Sequence, residues 1–400
     1  MQAKHARRSA RPRTYRRFAI IACIGLAVVI SAVIIHPLVN GRNGAGDQRP
    51  DALTATTTPT ATPSATAANK VTAASKPKPR RSRTARHHRS TASAVPSTPA
   101  RPSGCVADPQ ACGFPDSTNS GVPSSVALTA VPAQRRQGPG WTWDNDHIVV
   151  TANGATLSGL NVDGWIEIDA NNVTLNDLNV TVTGDWWGIG LYCQEQAQKG
   201  CVGARIENTT VGGPAASGAN RLEVGIKDVY GDAVGTQIIR VNIYHAGTGI
   251  QISNGTVEDS YIHDFGYNSS EGDHLNGISV GGGDNRPLLI QHNTVLNNYG
   301  QTDAIALFQD FGPEVNKTIS DNLLAGGGYS LYGGGPNGCT GPATAFKCNP
   351  SSNIVVTNNV FSKMFFGNGG FYGPVANFNP AGSGNVWSGN IWANGRVVTS

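Results

Sequence analysis

Charge is sparse in this chain. Lysine, arginine, aspartate and glutamate make up 14% of its 400 residues, where a soluble domain usually carries about a quarter. Methionine occurs twice, and no stretch beyond residue 104 sustains a 3.6-residue apolar period. Helical bundles and coiled coils are thereby excluded, because both need a repeated apolar stripe backed by charged positions. Tight CxxC spacing with nearby histidine is missing as well, which removes the structural zinc classes. Glycine, by contrast, is abundant at 50 residues, without the three-residue period of collagen.

The scarce charges are segregated. Residues 1–104 hold 18 Lys/Arg and two acids, Asp47 and Asp51; residues 105–400 hold 12 Lys/Arg and 24 Asp/Glu. Seven cations precede an uncharged run from Phe18 to Ile35. A run of this length at the lower edge of what spans a bilayer, behind a basic flank, predicts a single-pass transmembrane signal anchor over 1–40 with the rest outside the cell. The competing reading is a cleaved leader and a secreted product. Residues 41–104 repeat Thr, Ala, Pro and Ser with almost no large apolar side chain, and so predict a disordered stalk. Its basic stretch Lys76–Arg89 suits an anionic cell-wall polymer or a plain solvated linker. Nucleic acid is not expected, since that stretch lacks interleaved aromatics and lies outside the membrane.

Six cysteines follow in three local pairs, Cys105/Cys112, Cys193/Cys201 and Cys339/Cys348, separated by 7, 8 and 9 positions. In an extracellular domain they predict three loop-closing disulfides, and they set the domain at 105–400.

A short unit recurs through that domain: an apolar residue, a spacer, a small or polar residue, a variable position, a spacer and a second apolar residue. Its first residues are Leu157, Leu175, Ile206, Ile238, Val257, Ile290, Ile319, Val356 and Trp387. Their spacings of 18, 31, 32, 19, 33, 29, 37 and 31 fit loops of varying length on a constant turn. The fourth position ends in Asn293, Asn322, Asn359 and Asn390, which predicts a stacked amide ladder. A second strand follows most units, with Ile250/Ile252, Ile278/Val280, Ile305/Leu307 and Tyr329/Leu331 expected inside and Gln251, Ser279, Ala306 and Ser330 outside. The prediction is an all-β solenoid of single-stranded coils. Its pattern over about 150–400 resembles the right-handed parallel β-helix of the pectate-lyase-like superfamily.

That resemblance implies a binding groove in the loops before the second strand. Asp273, His274 and Asn276 stand there, with Asp303 on the next coil and His263 and Asp264 at the start of the loop. Two chemistries use such groups. A lyase needs a base, for which His274 or His263 stands ready, and a hard cation such as Ca²⁺ on Asp264, Asp273 and Asp303. A glycoside hydrolase needs two carboxylates, for which Asp273, Asp303 and Asp310 are available. Asn276, Gln251, Gln309 and Lys317 are the expected substrate contacts. Several bacterial β-helix proteins carry His-x-Asp-Gly where this chain reads His274-Leu-Asn-Gly277, and asparagine supplies no acid or base. Exposed aromatics such as Trp186, Trp187, Tyr192, Tyr329 and Tyr332 could stack on sugar rings. The functional expectation is therefore a monomeric extracellular protein that binds polysaccharide, with degradation by lyase or hydrolase chemistry as one branch. A non-catalytic adhesin or wall-glycan-binding module is the other.

Overall fold

The computed structural model describes residues 105, 109–194, 201–270, 272–335 and 350–400. The expected anchor, the stalk, Cys339 and Cys348 lie outside these residues. Among the described residues no helix is long and apolar enough to cross a membrane.

The fold is all-β. Among the described residues only Gln110–Cys112 and Gly218–Asn220 are helical, each a single 3-10 turn. Strands stack coil upon coil into three long parallel ladders, the arrangement of a β-solenoid compatible with a parallel β-helix. The first ladder runs Leu157, Leu175, Ile206, Ile238, Val257, Ile290, Ile319, Val356, Trp387, each the register partner of the next. The second runs Val162, Val180, Val211, Ile243, Ile262, Val295, Leu324, Phe361, Trp392. These are the first and last residues of the sequence unit, and nearly all are buried.

The third residue of the unit makes the corner between these two ladders. Asp177, Asn208, Arg240, Asp259, His292, Asp321 and Asn358 all have φ between 47° and 59°, and Gly159 and Gly389 match them at 66° and 68°. Asn, Asp and Gly tolerate this left-handed conformation best, which explains the small or polar residue at that position. The fourth residue then points into the corner. There Asn293, Asn322, Asn359 and Asn390 form the expected ladder, each amide donating to the next side-chain oxygen at 2.9–3.0 Å.

The third ladder carries Ile166, Ile189, Ile226, Ile250, Ile278, Ile305, Leu331 and Val375 inward in register. Just before these lies a tight column. A Cβ added to Gly277 would sit 2.3 Å from Val295 Cγ1 and 2.1 Å from the Ala304 carbonyl, so both Gly277 and Ile278 face the core. The same column continues in register through Ala304 to Ser330, with Asp303 and Tyr329 in the column before it. Ser330 was expected outside and Tyr329 inside. Ser330 is instead fully buried, and Tyr329 pairs with Asp303 and stacks near Tyr332 and Tyr372.

Two segments close off edges of the solenoid. An antiparallel hairpin, Trp141–Asp144 with His147–Val150, starts the third ladder and protects its first edge. Residues 109–131 form a strap along the outer side of the second ladder. Phe114 packs on Leu323 and Val360, His292 bonds the Gly113 carbonyl, Gly121 donates to Arg240, and Thr129–Val131 pairs with Leu160–Val162 at the other end. Disulfides join Cys105 to Cys112 and Cys193 to Cys201, as two of the three expected pairs.

Candidate functional site

With the second ladder strapped, the outer side of the third ladder is the sheet face on which polar and aromatic groups converge. One outward column reads Trp187, Val224, Thr248, Asn276, Asp303, Tyr329. A second reads Glu167, Gly190, Lys227, Gln251, Ser279, Ala306, Tyr332. Trp187, Val224 and Ala306 are buried yet stand apart from the apolar core, which fixes these columns on the outer side. The neighbourhood of Asn276 and Asp303 on successive coils is the one the sequence predicted.

Each end of this face is aromatic. At the first end Trp186 stacks on Trp187 with centroids 4.8 Å apart, and Tyr192 packs 5.6 Å from Trp187 and 6.0 Å from Tyr230. A Cβ on Gly190 would strike the Tyr192 ring at 2.7 Å, so that ring lies directly over the second column. At the other end Tyr332 meets Phe308 at 5.2 Å and Tyr329 at 5.4 Å, and Tyr372 covers Tyr329. Five steps of stacked strand, about 24 Å, separate the ends. Beyond Tyr332 a pocket of about 140 Å³ is lined by Leu307, Phe308, Gln309, Asp310, Tyr332, Gly335 and Asn377. Gln309 is held in its wall by donating to the Gly334 carbonyl at 2.8 Å.

Asp303 is fully buried in the floor. The Gly277 amide lies near, but neither carboxylate oxygen meets a donor in hydrogen-bond geometry. Desolvation therefore holds this carboxyl well above the usual range, and the Gly277 amide offsets only part of that. Asn276 beside it donates to Thr248 Oγ1 and to the His274 carbonyl, both at 3.3 Å, while its own side-chain oxygen has no donor.

An acid raised in this way stabilises the fold only while it stays protonated. That contribution is complete below the unfolded value near 4 and is lost as pH rises toward the folded value. Asp228, pushed up to about 6, and Glu314, pushed up to about 8, act in the same direction through burial. The isosteric Asp303→Asn removes one such group. Its stability should therefore fall less steeply between acid and neutral pH than the wild type's, by about 1.4 kcal/mol per pH unit inside the shifted window. Urea unfolding across pH 4–8 checks this, and parallel profiles for the two proteins would refute it.

The other expected site residues are placed elsewhere. Asp273 is clamped by Arg221, which donates from Nε at 2.6 Å and from a second guanidinium nitrogen, and the Asn268 amide adds a 2.6 Å bond. Asp185 holds the remaining arm of Arg221. With its lone pairs directed at these donors, Asp273 is a structural counter-ion and not a free base. His274 is exposed on the rim of the third ladder. His263 sits on the outer side of the second ladder, stacked on Tyr261, with its ring nitrogens on Asp264 at 2.7 Å and Asn242 at 3.0 Å. Burial pushes its pKa down, against Asp264. Lys317 was expected to touch substrate. It is wholly buried, and its ammonium is taken up by the carbonyls of Ser253, Asp284 and Arg286 at 2.8–2.9 Å. The intended Ca²⁺ ligands Asp264, Asp273 and Asp303 thus stand in three separate environments. Among the described residues no group of three or more His, Cys, Asp or Glu side chains gathers to hold a metal ion.

Sequence reasoning missed Arg221 and the cluster around His147. That imidazole is buried, stacks 4.0 Å from Trp165, and lies between Asp146 at 3.1 Å and Glu167 at 3.4 Å. Burial alone would lower its pKa, but the two carboxylates outweigh it and raise it.

Compared with protein-family models, curated proteins and solved structures, the chain matches none.

Proposed function

We propose that this chain is a polysaccharide-binding protein, a right-handed parallel β-helix of the pectate-lyase-like type. A membrane anchor would hold it outside the cell on a basic stalk that meets an anionic wall polymer. The glycan lies along the outer side of the third ladder, parallel to the solenoid axis. One observation carries this reading: two aromatic patches about 24 Å apart, joined by a strip bearing Thr248, Gln251, Asn276 and Ser279. Aromatic rings offer flat apolar surface to the faces of sugar rings, and amides and hydroxyls satisfy the sugar hydroxyls between them. Coils repeat along the axis at a spacing comparable with the length of a sugar unit, so one strand-step can serve one sugar.

Binding is favoured over cleavage because Asp273 is held by Arg221 and Asp303 is fully buried. A glycosidase needs two carboxylates at a set separation, and Asp273 is occupied by Arg221. In a polysaccharide panel the full-length chain should be retained by at least one polymer without releasing reducing ends or unsaturated products. Tyr192→Ala and Tyr332→Ala should each weaken retention roughly 10-fold, as expected for a central aromatic contact, with unchanged circular dichroism. Retention by no polymer, or undiminished retention of both variants, would refute the reading.

A further inference from the structure

Charged side chains are few on the proposed glycan face. Among the described residues Lys227 is the one cation in the two outward columns. Its ammonium lies 4.7 Å above the Trp187 ring, and it interacts with Glu223 on the same strand. Burial pushes the Glu223 carboxyl up, with Lys227 opposing, and pushes the Lys227 ammonium down, with Glu223 opposing. Glu167 faces His147 at 3.4 Å. Arg221, just beside the face, is 1% exposed and held by Asp273 and Asp185. The acid in the floor, Asp303, is buried among uncharged neighbours.

A polymer carrying one carboxylate or sulfate on each sugar needs a cation on most coils, since each desolvated anion must be paired. No such row exists among the described residues of this face. A polymer carrying an ammonium on each sugar needs a row of accessible carboxylates, and the two columns hold only Glu167, which faces His147, and the buried Asp303. The accessible uncharged side chains of this face are Trp186, Tyr192, Thr248, Gln251, Tyr332 and Tyr372, and they outnumber the charged ones in its two columns. Resting on the glycan reading above, we infer that the third-ladder face selects an uncharged polysaccharide and discriminates against both uronate-type and aminosugar polymers.

Affinity gel electrophoresis of the full-length chain in detergent, at neutral pH and about 0.15 M salt, tests this. The neutral probes are hydroxyethylcellulose, mixed-linkage β-glucan and galactomannan; the charged probes are polygalacturonate, alginate and chitosan. At least one neutral polymer should retard the chain with a dissociation constant ~10-fold or more below that of every charged polymer. Glu223→Gln removes the acid that bears electrostatically on Lys227 and should raise affinity for polygalacturonate roughly 3-fold or more. A charged polymer that binds as tightly as the neutral ones, or an unchanged polygalacturonate affinity in Glu223→Gln, overturns this inference and leaves glycan binding standing. Retention by none of the six overturns the glycan reading itself, and this inference with it.

Discussion

Replacing Asn322 with leucine is expected to destabilise the solenoid by about 3–5 kcal/mol. The side chain makes five hydrogen bonds in a fully buried corner. Its oxygen accepts from the Asn293 backbone amide at 2.9 Å and the Asn293 side chain at 3.0 Å. Its nitrogen donates to the carbonyls of Ile290 and Ser320 at 3.0 Å and to Asn359 at 2.9 Å. Leucine has the same number and branching of side-chain heavy atoms but satisfies none of these, so buried donors on Asn293 lose their acceptor, and each such group costs about 1–3 kcal/mol. The same corner holds Leu160 and Leu178 in the first coils. Leucine therefore fits sterically there, and the loss at 322 comes from the amide neighbours. Asn390 ends the ladder and makes three bonds, to Asn359 twice and to the Val356 carbonyl, so Asn390→Leu should cost less. Urea unfolding that ranks the two variants the other way, or finds Asn322→Leu neutral, would count against a cooperative amide ladder.

The features legible in the sequence share one property: they repeat. The unit starting at Leu157 recurs with its apolar ends in register, and its third residue is Asn, Asp or Gly in seven of nine coils because the corner needs a left-handed backbone. Where that residue is Arg240 or His292, the corner persists by register with its neighbours. Alternation failed at Tyr329 and Ser330 because Leu331, not Tyr329, is the register partner of Ile305, so Tyr329 falls in the outward column of Asp303 and Ser330 in the tight column of Gly277 and Ala304. Asp273 looked like chemistry because it stands beside His274 and Asn276 in sequence. Its partner Arg221 is 52 residues away and Asp185 lies 36 residues from Arg221, and no local pattern joins them. Lys317 reads as surface from its type alone. Only the fold reveals three carbonyls around it. The strap from 109 to 131 has no periodicity, yet it distinguishes the faces, because it lies along the second ladder and not the third.

Arg221→Met should be the second severe substitution. The guanidinium is 1% exposed and joins the loop bearing Asn268 and Asp273 to Asp185, which lies on the coil before that of Arg221. Its pKa is raised despite burial, because both carboxylates favour the charged form. Removing it leaves Asp273, with a side chain only 8% exposed, as a buried anion without its counter-charge, at a cost of about 3–5 kcal/mol. The double variant Arg221→Met with Asp273→Leu removes both partners, and should recover most of that loss because no orphaned charge remains except the more exposed Asp185. Arg221→Lys keeps the charge but not the fork that grips Asp273 through two nitrogens, so it should fall between wild type and Arg221→Met. Since coils of a solenoid contact mainly their neighbours, the damage should be local. Hydrogen exchange should rise over 264–280 in Arg221→Met while the amide corner at Asn322 and Asn359 stays protected. Equal exchange in variant and wild type, or a double variant no better than the single, would mean that Arg221 is not what holds Asp273 away from chemistry. Asp273 would then return as a candidate carboxylate for the proposed glycan face.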